Sequence, residues 1–137
     1  MVKPRRIQRE GEDPTMKYRD WHRTLSGGCT VMDIDQLEYR RNANGVLVPV
    51  AIVELTSAYT VPIPQTCKDG VLDRIFDRSL QGEFLGTLAY RLHVPAVIIL
   101  FSEDMSEVWW YNIKKMDGWH KSSWKTIGKW LEALKAP

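Results

Sequence analysis

Along the middle of the chain the polar and apolar residues change rhythm three times, and each rhythm predicts an element. In "CTVMDIDQLEYR" (29–40) Val31, Asp33, Asp35, Leu37 and Tyr39 recur at every second position, as on one face of a strand. "NANG" (42–45) follows, and Asn44-Gly45 is a strong hairpin signal because both residues tolerate positive φ. "VLVPVAIVELT" (46–56) is nearly all apolar, as in a strand covered on both faces. Residues 57–70 carry two prolines and predict a loop. From 71 to 93 the period becomes helical through Leu72, Ile75, Phe76, Leu80, Phe84, Leu85 and Leu88. "VPAVIILF" predicts a buried strand, "EVWWYNIKK" an edge-like strand, and "SSWKTIGKWLEALK" a helix with Trp124, Ile127, Leu131 and Leu134 on its apolar stripe. Upstream, "TMKYRDWHRTL" predicts a helix capped by Thr15 and stopped by "SGG". The order helix, hairpin, helix, strand, strand, helix predicts an α/β domain with a mixed sheet flanked by helices.

Composition narrows this only at the ends. The 137 residues suit one domain, expected over 15–137, and net charge is only +2. Residues 1–14 are polar and predict a flexible basic arm. Residues 1–23 hold Lys3, Arg5, Arg6, Arg9, Lys17, Arg19 and Arg23 against four acids. Such an arm suits a phosphate backbone, or serves only as a solubilising tail. Cys29 and Cys67 match no zinc or redox spacing, and no apolar run is long enough to span a bilayer. A cytoplasmic protein with no membrane partner is expected.

The hairpin carries the candidate chemistry. Asp33 and Asp35 share one side of their strand, and Glu54 and Thr56 share one side of theirs. A two-residue turn at Asn44-Gly45 would set Asp35 opposite Glu54 and Asp33 opposite Thr56. A four-residue "NANG" loop would pair Arg41 with Val46 and set Asp33 opposite Glu54. A slip by one residue would part the carboxylates. Neighbouring carboxylates repel unless something positive lies between them. A hard divalent cation, Mg²⁺ or Mn²⁺, meets that need; so do ion pairs with Arg19, Arg23 or Arg78.

A helix bearing "YRDWHRTL" (18–25), then "DID" on a strand, a hairpin turn, "PVAIVELT", a helix carrying a glutamine and the strand "VPAVIIL" together resemble the PD-(D/E)XK nuclease superfamily. The closest likeness is to its small phage-type members, over residues 15 to about 113. The resemblance implies a restriction-endonuclease-like sheet and Mg²⁺- or Mn²⁺-dependent hydrolysis of DNA. It implies metal ligands at Asp33 or Asp35, at Glu54 and at the Leu55 carbonyl, with Gln81 supporting them. For a phage-encoded member the location would be the host-cell cytoplasm. The family's motif lysine is replaced by Thr56, which can hold a water but brings no charge. Lys68, ahead of the long helix, is the candidate to supply it.

Arg19, Arg23, Arg40 and Arg41 flank this region in the expected hairpin and are candidate DNA contacts. Five of the six tryptophans fall in the last third, on the edge-like strand and beyond. That edge offers a surface for a homodimer. Lys121, Lys125 and Lys129 fall at i, i+4 spacing, as on one face of the closing helix. The expected function is a divalent-metal-dependent deoxyribonuclease. The alternative is a catalytically inactive nuclease-fold domain that binds nucleic acid or a protein partner.

Overall fold

A computed structural model describes residues 15–28 and 32–137. The expected basic arm and the opening of the first predicted strand, Cys29 to Val31, lie outside the described residues. The chain divides into two units between Met32 and Asp33. In the first, helix α1 (Met16–Arg23) buries none of its residues. Tyr18 and Trp21 meet on it with ring centroids 5.5 Å apart.

The second unit is α/β. Its strands are β1 (Gln36–Arg41), β2 (Leu47–Ala58), β3 (Ala96–Ser102), β4 (Val108–Asn112) and β5 (Trp119–Ser122), ordered β1-β2-β3-β4-β5 in one sheet. β2 and β3 are parallel and the other pairs antiparallel. The parallel pair needs a crossover. It is made by α2 (Gln65–Leu72), a π-helical turn (Asp73–Asp77) and α3 (Gln81–Leu92). Helix α4 (Trp124–Ala133) follows β5, its first turn capped by Ser123 Oγ accepting from Thr126 N at 3.1 Å.

Side chains alternate through the sheet into two cores. Ile52, Ile98, Leu100 and Tyr111 pack with Val71, Ile75, Leu85 and Ala89 on the face of the crossover helices. Val53, Val97, Ile99 and Val108 pack with Ile127 on the other face, joined by half-buried Trp110, Trp124 and Trp130. Burial of these side chains contributes about 1.5–3 kcal/mol each. No helix among the described residues is long and apolar enough to cross a membrane.

Three expectations are corrected. The expected loop over 57–70 already contains α2, whose first turn is polar and so carries no helical period. The expected helix over 71–93 is two helices. Arg78 N bonds to Asp73 O at 2.8 Å in the π turn, and Ser79 Oγ then takes the carbonyls of Arg74 (2.9 Å) and Ile75 (3.2 Å), which competes with helix continuation. The tryptophan-bearing strand is not an edge, because β5 pairs with it through Trp109↔Lys121 and Trp110↔His120. Lys121 accordingly sits on β5, not on the closing helix.

The hairpin turn has neither expected length. Asn42 N bonds to Val46 O at 2.9 Å around a three-residue loop, Ala43 to Gly45, with Gly45 at φ +76°. The pairing Arg41↔Leu47 through Tyr39↔Pro49 would set Asp35 opposite Val53, on the α4 face. A bulge intervenes: Glu38 pairs with Ala51, leaving Val50 as an extra residue, and the register becomes Gln36↔Val53. Asp35 is thereby returned to the level of Glu54.

Candidate functional site

β1 begins at Gln36, opposite Val53, whereas β2 runs on to Ala58 beside β3. Beyond Val53 the outer edge of β2 therefore lacks its β1 partner. Asp35 fills part of that gap, its Oδ2 accepting from Leu55 N at 3.0 Å. A strand residue turns its N–H and C=O toward the same neighbour, so the Leu55 carbonyl faces the same side.

Glu54 lies on the β2 face covered by the crossover helices and is only 7 % exposed. Gln81, the first residue of α3, donates to Glu54 Oε1 in a short hydrogen bond. Among the described residues Glu54 Oε2 is buried with no hydrogen-bond partner. Burial raises its carboxyl from the ordinary 4.5 to about 7; the Gln81 bond opposes this, and Asp35 adds to it through its negative charge and through a hydrogen bond that favours a proton shared between the two carboxyls. Two carboxylates thus meet beyond the end of the β1–β2 ladder, with one buried oxygen of Glu54 lacking a hydrogen-bond partner among the described residues.

That orphan oxygen fits a bound cation. Asp35, Glu54 and the Leu55 carbonyl are a hard-oxygen set suited to Mg²⁺ or Mn²⁺, leaving positions for water and a phosphate oxygen. Asp33 is exposed and precedes β1. Among the described residues no group of three His, Cys, Asp or Glu side chains is placed to hold a metal, so Asp33, Asp35 and Glu54 do not form a triple-carboxylate cluster.

Thr56 lies two residues beyond Glu54 on the same face, and its Oγ1 accepts from Arg74 Nη2 at 3.3 Å. Lys68 is elsewhere. It is buried at 6 % exposure, with its ammonium 3.4 Å from the ring centroid of Trp109 on β4. Thr56, Leu100 and Trp109 are consecutive partners across β2, β3 and β4, which sets Trp109 about 10 Å from Thr56. Arg74 is a cation that sequence reasoning missed, because in an uninterrupted helix it is only one more exposed basic residue. The π turn that presents it leaves no periodic signal.

The arginines divide as well. Arg40 bonds to Glu38 Oε2 and to Leu131 O, both at 2.9 Å, and so faces α4, across the sheet from Glu54. Arg41 bonds to Gly45 O at 2.8 Å, at the turn end of the hairpin. Neither flanks the carboxylates, contrary to expectation. Arg19 and Arg23 belong to the first unit, where Arg23 lies 3.5 Å from Asp20. Under α4 a cavity of about 240 Å³ opens between Val97, Ile99, Trp110, Ile127 and Trp130, on the face away from Glu54. Comparison with protein-family models, with curated proteins and with solved structures finds no match.

Proposed function

We propose that the chain is a divalent-metal-dependent nuclease of restriction-endonuclease-like fold that hydrolyses DNA phosphodiester bonds at the Asp35–Glu54 pair. The observation that carries this is the buried Glu54, with Oε2 unpartnered among the described residues, beside Asp35 past the end of the β1–β2 ladder. The resemblance of "DID", "ELT" and the helix glutamine to PD-(D/E)XK nucleases supports it. Asp35, Glu54 and the Leu55 carbonyl would hold Mg²⁺ or Mn²⁺. Such an ion lowers the pKa of water and offsets charge on a phosphoryl group. Gln81 orients Glu54 and holds its charge on one oxygen. In the net reaction a water oxygen bonds to phosphorus, one P–O ester bond breaks, and the departing oxygen gains a proton as water loses one.

Thr56 in the lysine position, with Lys68 committed to Trp109, favours a second reading: a domain of the same fold that binds DNA without cutting it. Linear, circular, single-stranded and branched DNA incubated with Mn²⁺, Mg²⁺ or EDTA separates them. Metal-dependent cutting that Glu54→Ala abolishes is the expected result. No cutting of any form, with DNA binding intact in EDTA, overturns the nuclease in favour of the binder.

A further inference from the structure

We infer that Arg74 is the phosphate-contacting cation of the Asp35–Glu54 site, in the role a lysine at position 56 would fill; this rests on the DNA reading above. Thr56 and Glu54 are successive residues on one face of β2, about 7 Å apart along the strand. Arg74 Nη2 reaches Thr56 Oγ1 at 3.3 Å, which anchors the guanidinium one side-chain position beyond Glu54 on that face. A phosphodiester with a bound cation spans a gap of that size.

Arg74 has donors to spare. A guanidinium carries five N–H donors in a planar fork that matches two phosphate oxygens. One donor is spent, on a neutral hydroxyl. The adjacent acid, Asp73, is taken by Arg78 at 2.6 Å. Among the described residues no carboxylate is paired with Arg74, and its side chain is exposed. Thr56 accepts from Arg74, so its own O–H is left to donate to the same phosphate.

The backbone also points to a function. Arg74 lies on the π turn, and π turns interrupt helices frequently at functional sites. Lys68, one and a half helical turns earlier, is held over Trp109 and buried. The positive charge therefore comes from the π turn and not from α2.

The test compares the full-length protein with Arg74→Ala, Arg74→Lys and, as a control for loss of one surface charge, Lys125→Ala at an exposed position of α4. Binding to a labelled DNA duplex is titrated in EDTA between about 50 and 200 mM salt, and cutting is followed with Mn²⁺. Loss of a phosphate contact should lower the log–log salt slope by about 1 in Arg74→Ala, with Lys125→Ala unchanged. Cutting by Arg74→Ala should fall about 100-fold or more, with part regained in Arg74→Lys. Mn²⁺ should raise the Tm of Arg74→Ala as much as that of the parent, because Arg74 is not a metal ligand. Equal slopes and cutting within about threefold of the parent overturn the role of Arg74 while leaving the nuclease standing. A reduced slope with no cutting by the parent upholds Arg74 and removes hydrolysis. No DNA binding by the parent overturns both.

Discussion

Glu54→Gln should stabilise the metal-free protein in a pH-dependent way. The Glu54 carboxyl titrates near 4.5 when exposed and near 7 in the fold. A group whose folded pKa is raised contributes most stability when protonated, below 4.5. That contribution is lost as pH rises from 4.5 to about 7, and is flat above. The interval corresponds to about 3 kcal/mol at about 1.4 kcal/mol per pH unit. Water at the open β2 edge screens part of this, leaving about 1–3 kcal/mol. Glutamine cannot ionise, keeps an oxygen for Gln81, and puts an N–H donor where Oε2 has no partner. In EDTA the variant should match the parent near pH 4.5 and exceed it by about 1–3 kcal/mol at pH 8, or roughly 3–10 °C in Tm. Denaturant melts read by tryptophan fluorescence from pH 4.5 to 8.5 measure the difference. Mn²⁺ should reverse the order, since a ligand at 1,000 times its Kd adds about 4.1 kcal/mol to the state that binds it. A stability difference that does not change with pH refutes the buried-carboxylate account. One that changes with pH but ignores Mn²⁺ refutes the metal.

Two further outcomes test the supports of the site. Gly82→Ala should cost about 1–3 kcal/mol, because a Cβ there would lie 2.3 Å from Phe76 Cδ1 where the π turn folds back on α3; an unchanged denaturation midpoint would show that this packing is loose. Trp109→Leu and Lys68→Met in a double-mutant cycle should couple by about 2 kcal/mol, the value of a desolvated cation–π pair. Additivity within about 0.5 kcal/mol would mean that the indole does not hold the ammonium.

The parts of this fold that were legible in the sequence are those written in repeated side chains. β2 and β3 show as apolar runs, α4 as a stripe ending at Leu131 and Leu134, and the mixed α/β order follows from their succession. The short motifs also single out Glu54 and Gln81, which the fold joins by a hydrogen bond. What was hidden lies in single backbone events. The π turn and Ser79 split one expected helix in two, and both sides keep helical periodicity. β5 has four residues, Trp119 to Ser122, too few for a periodic signal against its polar neighbours. Lys68 and Arg74 are both cations beside the same helix, and their fates differ because one lies over Trp109 and the other over Thr56. No spacing rule distinguishes them. Arg40 was misread for a related reason: strand alternation was correct, but the sign of the face depends on register.

Register is where the local chain and the candidate chemistry meet. A side chain on a strand changes face with each one-residue shift, so an Asn-Gly signal leaves the two carboxylates together or apart according to one residue of loop length. The three-residue loop sets the odd register, which alone would turn Asp35 to the α4 face, among Val53, Val97 and Ile99. An unpaired carboxylate there would cost several kcal/mol in lost hydration. Val50, the extra residue beside Pro49, restores the even register before the strand reaches Val53. Pro49 suits the irregularity, since it has no N–H to contribute to a ladder. Val50 is 5 % exposed, so the extra residue is absorbed by the core instead of bulging into solvent. Loop and bulge are thus two compensating odd steps. Their sum brings Asp35 to the Leu55 amide, beside a glutamate left with one oxygen unpaired among the described residues.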